Sequence, residues 1–169
     1  INYFTALTDY SFKITATRDV AINKNNKRQL DLIYSNVITV RMLFCILSTI
    51  IILIIIFLYP PFREEIVVFL LTLPILFGYV LFPEWFFQGI EKMRYITYLN
   101  LGIKIFFTIC IFVFIRDIND YWMYPMFNSL GYIGAGIVGQ MMLTRKYKLR
   151  YYWIGKKRIK SVLKNNFPI

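Results

Sequence analysis

The sequence predicts an all-α membrane protein with about five transmembrane helices. Three observations carry that prediction. The 169 residues are 58% hydrophobic and 19% aromatic, with a mean hydropathy of +0.55, well above an ordinary soluble domain. Four apolar runs, at residues 35–59, 65–88, 95–115 and 121–143, can each cross a hydrocarbon core about 30 Å thick, which takes about 20 helical residues. Assigning the loops alternately to two sides also puts 16 of the 20 Lys and Arg residues on one side.

Residues 1–17 read as the end of a helix that starts without a methionine, so the chain is expected to be a fragment of a larger membrane protein. A polar connection through Asn23, Lys24, Asn25, Asn26, Lys27 and Arg28 leads into the second helix. Its centre is nearly all isoleucine and leucine, and Pro60 and Pro61 stop it. A helix apolar all round has no polar face for a pathway and is assigned to lipid contact. Arg41 reads as its helix-end anchor. The third helix contains Pro74 and Pro83, which predict kinks and candidate flex points. The fifth presents Gly131, Ala135 and Gly139, a small-residue ridge for close helix approach, with Asn128, Ser129 and Gln140 as its polar members. The last residues are basic and aromatic, which suits a helix lying in the headgroup layer.

The net charge of +11 is a topology signal and not a nucleic-acid footprint. Basic loops stay in the cytoplasm, so the 16-residue side is expected inside, next to anionic lipid headgroups. The other side has Arg63 and Arg116 beside Glu64, Glu65, Asp117 and Asp120, in loops too short to build an enzyme pocket. The sequence has no histidine, and Cys45 and Cys110 lie inside apolar helices, so no metal site and no cofactor are expected.

Two polar stripes cross the apolar background. Asn2, Ala6, Asp9, Lys13 and Thr17 share one face of the first helix, and Thr97, Asn100, Lys104 and Thr108 one face of the fourth. Counted at 1.5 Å per residue from Arg94, Lys104 lies about 15 Å deep. A cation facing lipid there would cost about 2.5–3.5 kcal/mol, so the stripes are expected to share a hydrophilic cavity. Asp9 could neutralise Lys13 one turn away, or pair with Lys104. Glu84 could pair with Arg18, Lys92 or Arg94, or act as a gate.

The run Pro83-Glu84-Trp85-Phe86-Phe87-Gln88-Gly89-Ile90-Glu91-Lys92-Met93 resembles a segment at the end of the fourth helix of bacterial O-antigen and capsular polysaccharide flippases. These are the Wzx-type members of the multidrug/oligosaccharidyl-lipid/polysaccharide (MOP) exporter superfamily. Residues 9–26 resemble that family's second helix and first cytoplasmic loop, with Ser11 and Lys13 departing from its pattern. The resemblance covers essentially the whole chain. It implies part of a six-helix lobe, with 1–144 as transmembrane helices 2 to 6 of the first lobe and 145–169 as a basic cytoplasmic linker or interfacial helix.

It further implies transport of undecaprenyl-pyrophosphate-linked oligosaccharide across the bacterial inner membrane by alternating access, with no enzymatic step. Membrane lipids, a polysaccharide polymerase and a chain-length regulator are the implied partners; nucleic acid is not. Lys104, Lys13 and Arg18 are the expected charges for the diphosphate, and Asn100, Thr97, Thr108 and Asn128 the expected hydrogen-bonding groups for sugar. Asp9, Glu84, Gln88, Pro74 and Pro83 are the candidates for ion coupling or gating. A drug or cation antiporter of the same superfamily and a non-transporting membrane subunit are the alternatives.

Overall fold

Wherever the chain must break a helix inside apolar surroundings, it does so at a proline, and a polar side chain from elsewhere takes up the loose backbone. The computed structural model describes residues 12–117, 120–153 and 155. Its elements are α1 (Phe12–Ile22), α2 (Lys27–Leu58), α3 (Pro60–Glu64), α4 (Ile66–Thr72), α5 (Pro74–Leu81), α6 (Glu84–Gly89), α7 (Arg94–Phe114) and α8 (Met123–Arg145). No strand occurs among the described residues. Three spans are long and apolar enough to cross a membrane: Lys27–Leu58, Ile66–Gly89 and Arg94–Phe114. Helix α8 matches them in length at 23 residues.

Asn26 caps α2, its side chain accepting from the Gln29 amide at 3.3 Å. At 32 residues the helix is about 48 Å long, so one end projects beyond a bilayer core. Pro61 supplies no N–H for the Phe57 carbonyl, and Arg63 Nε donates to it instead at 2.9 Å. The predicted third helix is divided into α4, α5 and α6 at Pro74 and Pro83. Beside the first break, the Ser129 hydroxyl donates to the Leu71 carbonyl.

Helix α8 lies at the centre, packed on α4, α5 and α7, while α1 packs on α6 and α2 on α5. The small residues of α8 make this possible on two faces. Gly131 meets Ile103 of α7, whereas Gly136 and Gly139 meet Leu81 and Pro83. The ridge that contacts the broken helix is thus Gly136–Gly139, and Gly131 serves α7. One face of α2 is buried through Cys45, Ser48, Ile52 and Ile56, and Ile46, Ile50, Ile54 and Phe57 are exposed on the other. Phe112 of α7 is 80% exposed, which suits a lipid-facing position.

The charged loops fall at two ends. Arg150 reaches Asp31 near the start of α2, and the Lys146 ammonium donates to the Tyr95 hydroxyl at the start of α7, so these basic segments share one end. Glu65 accepts from the Tyr121 hydroxyl at the other, 3.1 Å away.

Residues 146–153, the described start of the expected linker or interfacial helix, form a non-helical strap beyond Arg145, with Lys148 at φ 52°; later residues, apart from 155, lie outside the described ones. The Tyr147 and Leu149 amides donate back to the Met142 and Leu143 carbonyls of α8, and the outer part of the strap is tied to α2. The Arg150 amide donates to Asp31 Oδ1 at 2.9 Å, the Tyr152 amide to Ser35 Oγ at 2.9 Å, and the Tyr151 and Thr39 hydroxyls bond at 2.9 Å. Asp31, Ser35 and Thr39 are spaced by four, so one stripe of α2 holds the strap. Burial against Phe86 pushes the Tyr147 hydroxyl pKa up, with Tyr95 adding to the rise. The hydrogen bond to Tyr95 lifts that of Lys146.

A Cβ at Gly78 would sit 2.6 Å from the Tyr132 carbonyl carbon, while one at Gly102 meets nothing within 4 Å. Gly78→Ala is expected to destabilise the full-length protein by about 1–3 kcal/mol, seen as a lower thermal midpoint in detergent, and Gly102→Ala to leave it unchanged or higher. Equal midpoints for the two variants would show that α5 and α8 do not approach this closely.

A cationic cavity at the Pro83 break

Pro83 builds the site. It has no N–H to offer the Tyr79 carbonyl one turn back, so α5 ends with open carbonyls in a setting where each costs several kcal/mol unless satisfied. Arg41 of α2 answers this: its guanidinium donates to the Tyr79 carbonyl at 3.1 Å and, more weakly, to the Phe82 carbonyl at 3.4 Å. The positive group also lies at the negative end of the α5 dipole. Gln140 of α8 donates to the Leu81 carbonyl and accepts from the Tyr34 hydroxyl at 2.7 Å. Arg41 is therefore no helix-end anchor. It is 4% exposed, about 21 Å along α2 from Lys27.

The chain restarts at Glu84 and runs into a knot of rings. Trp85, Phe86 and Phe87 are all at most 2% exposed, and Phe86 meets Tyr147 edge-on at 5.2 Å. This buried knot fixes the direction of Glu84. Its carboxylate accepts from Lys13 Nζ at 3.1 Å and from Gln88 Nε2 at 3.0 Å. Glu84 thus pairs with Lys13, and with none of Arg18, Lys92 or Arg94. At 49% and 34% side-chain exposure the Lys13–Glu84 pair is wet, so its own contribution to stability is about 0–1 kcal/mol.

A cavity of about 240 Å³ opens at this break. Its charged and amide lining is Lys13, Arg41, Glu84, Asn100 and Lys104; Tyr79, Phe82, Trp85 and Tyr132 complete the wall. Tyr79 and Tyr132 stack at 4.7 Å with their hydroxyls 3.3 Å apart. Lys104 occupies the eleventh position of the 21-residue α7, its middle, and makes no ion pair among the described residues. Three cations face one carboxylate, so the cavity has a positive bias toward an anion.

The structure thus brings Lys13, Glu84, Asn100 and Lys104 together. Arg18 lies five residues from Lys13, about 140° around the helix, and borders a separate groove with Thr17, Gln88 and Glu91. Thr97, Thr108 and Asn128 border neither. Thr97 instead donates to its own helix at Met93, 3.5 Å away. Asp9, Asn2 and Ala6 lie outside the described residues. Arg41, Tyr79, Trp85 and Tyr132 were not expected in the site. A proline three or four residues after Tyr79 and Val80, with an arginine inside an apolar helix, is the sequence signal for the first of these.

The profile described as "Polysaccharide biosynthesis protein" matches residues 1–169. The chain is 25% identical over 154 residues to a protein of Escherichia coli (strain K12) named "Putative O-antigen transporter", covering 91% of this chain and 36% of that one. It is 26% identical over 159 residues to a protein of the same name from Shigella dysenteriae, with 93% and 38% covered. The chain therefore spans a little over a third of the length of these curated relatives. No solved structure matches it.

Replacing Arg41 by Leu leaves the Tyr79 and Phe82 carbonyls without this donor. The expected loss is about 1–3 kcal/mol, read as a lower thermal midpoint of the full-length protein, with only partial recovery in Arg41→Lys because an ammonium lacks the fork. A midpoint unchanged in Arg41→Leu contradicts the assignment.

Proposed function

Since the chain belongs to the polysaccharide biosynthesis protein family, we propose that it is the first-lobe portion of a Wzx-type flippase. In this reading the whole protein carries polyprenyl-pyrophosphate-linked oligosaccharide from the cytoplasmic to the outer leaflet of the bacterial inner membrane. The observation that carries the reading is the cavity at Pro83, with Lys104 at the middle of α7 unpaired among the described residues and Asn100 one turn away.

The chemistry fits the cargo group by group. A diphosphate loses its hydration on leaving water, and Lys104 and Lys13 supply ammonium donors in its place, in surroundings where a charge pair is worth more than in bulk solvent. The stacked Tyr79 and Tyr132 rings offer a flat apolar face for the C–H faces of sugar rings, with hydroxyls at their edges for hydrogen bonds. Asn100 offers an amide donor and acceptor for sugar hydroxyls. The prenyl tail needs no cavity and stays among acyl chains, beside the exposed apolar faces of α2 and α7. The Pro74 and Pro83 breaks are the flex points for alternating access, with Glu84 and Gln88 the gate between α1 and α6. Asp9 is reserved for ion coupling. The basic end faces the cytoplasm.

A cavity led by cations disfavours a drug-cation antiporter, which would present carboxylates first. A purely structural subunit would be expected to pair its membrane-depth charges, and Lys104, which is exposed, makes no ion pair among the described residues.

Lys104→Ala in the full-length protein should lower surface polysaccharide tenfold or more at normal protein level, since a hydrogen-bonded charge contributes about 1.5–3 kcal/mol. Lys104→Arg should retain a substantial part of it. The check is surface glycan in a strain whose own transporter is deleted. Full export from Lys104→Ala removes Lys104 from the mechanism.

A further inference from the structure

A second opening shares Lys13 with the first. The groove between α1 and α6 has a volume of about 460 Å³ and is bordered by Lys13, Thr17, Arg18, Gln88 and Glu91. Among the described residues, Lys13 alone borders both this groove and the central cavity. The wall between them consists of a few side chains. Lys13 bridges to Glu84 at 3.1 Å, Gln88 on the groove side holds Glu84 on the cavity side at 3.0 Å, and the Thr17 hydroxyl reaches the Trp85 carbonyl at 3.2 Å.

The backbones behind this wall have no room to close further. A Cβ added at Gly89 would lie 2.6 Å from Val20 and 2.8 Å from the Thr17 carbonyl, so α1 and α6 already touch, and Val20 is fully buried. What can move is the half-exposed ion pair. A wet pair of this kind is weakly held, and a doubly charged phosphate group competes with it. Arg18 is the groove's own cation and is exposed, and its planar fork suits phosphate oxygens.

We infer that the α1–α6 groove is a second anion subsite for a phosphate or diphosphate group. Lys13 passes that group from Arg18 to the central cavity when the anion displaces Glu84 from the Lys13 ammonium. Gln88 then keeps the released carboxylate on the α6 side of the opening. No covalent step is involved: one ion pair is exchanged for another, and Glu84 returns to Lys13 once the anion has moved on. The inference rests on the transport reading for the direction of travel and for the group that carries the phosphate; the subsite itself does not need it.

The test is a calorimetric titration of inorganic pyrophosphate into the full-length protein in nanodiscs of neutral lipid. It compares the wild type with Glu84→Gln, Arg18→Gln and the double variant, each first checked for an unchanged thermal midpoint. Removing the competing carboxylate should tighten binding about threefold to tenfold. Arg18→Gln should weaken it by a similar factor in both backgrounds, because Arg18 acts before the exchange. Unchanged or weaker binding in Glu84→Gln overturns the exchange, and an Arg18→Gln variant that binds like its parent overturns the groove subsite.

A parallel titration with phosphatidylglycerol in the nanodisc separates a lipid headgroup from a diphosphate. Arg18-dependent lipid binding that pyrophosphate does not displace also overturns the proposal. A full-length protein that fails to restore export in a strain whose own transporter is deleted would sink the transport reading without touching these titrations, and flat titrations with export restored would sink only the groove.

Discussion

The arginine on the carbonyls freed by Pro83 is the constraint on which the rest of the site depends. In hydrocarbon a proline is tolerated only where the backbone group it orphans finds another donor. Arg41 supplies that donor for Tyr79 and Phe82, and Gln140 for Leu81. With those carbonyls held, the chain turns out of α5 and restarts as α6. The cavity is the space this turn leaves between α1, α2, α7 and α8. Arg63 repeats the solution on a smaller scale at Phe57. One device serves both to end a helix and to bring a positive charge to the break.

The segment from Glu84 to Gly89 forms a plate between that cavity and the basic end. Trp85, Phe86 and Phe87 are buried and hold the plate down. Glu84 and Gln88 are its polar edge toward Lys13, and Gly89 lets α1 come into contact. The strap at 147–153 lies over the same knot through Tyr147 and is tied to α2 at Asp31, Ser35 and Thr39. The rings therefore belong to the packing, and the motif's chemistry is left to its carboxylate and amide.

Much of the architecture was legible because apolar length and loop charge are one-dimensional quantities. The long helices end within two residues of their expected positions, although α2 begins eight residues earlier, at Lys27, and the basic loops collect at one end. The helical period also placed Asn100 and Lys104 on one face, and the structure adds Lys13 beside them. The rest depends on contacts between segments far apart in sequence. Arg41 looked like an anchor because nothing in residues 27–58 reveals the Tyr79 carbonyl waiting for it. Tyr79 and Tyr132 sit 53 positions apart and resemble ordinary core rings until they stack. The tyrosines and lysines of the strap suit a linker or a surface helix alike, and its bonds to Asp31, Ser35 and Thr39 of α2 span more than a hundred positions in sequence. Arg18 was expected beside Glu84 or among the cavity charges, yet the turn of the helix sends it to a different opening.

The account stands on water reaching the middle of α7 on the side of Lys104. The direct measurement is the reactivity of single cysteines with a charged, water-soluble thiol reagent in permeabilised membranes, with Cys45 and Cys110 replaced by serine. Lys104→Cys and Asn100→Cys should react readily, whereas Phe112→Cys, on the exposed apolar face, should not. An unreactive Lys104→Cys beside a reactive Phe112→Cys would place that face of α7 in lipid and contradict the cavity.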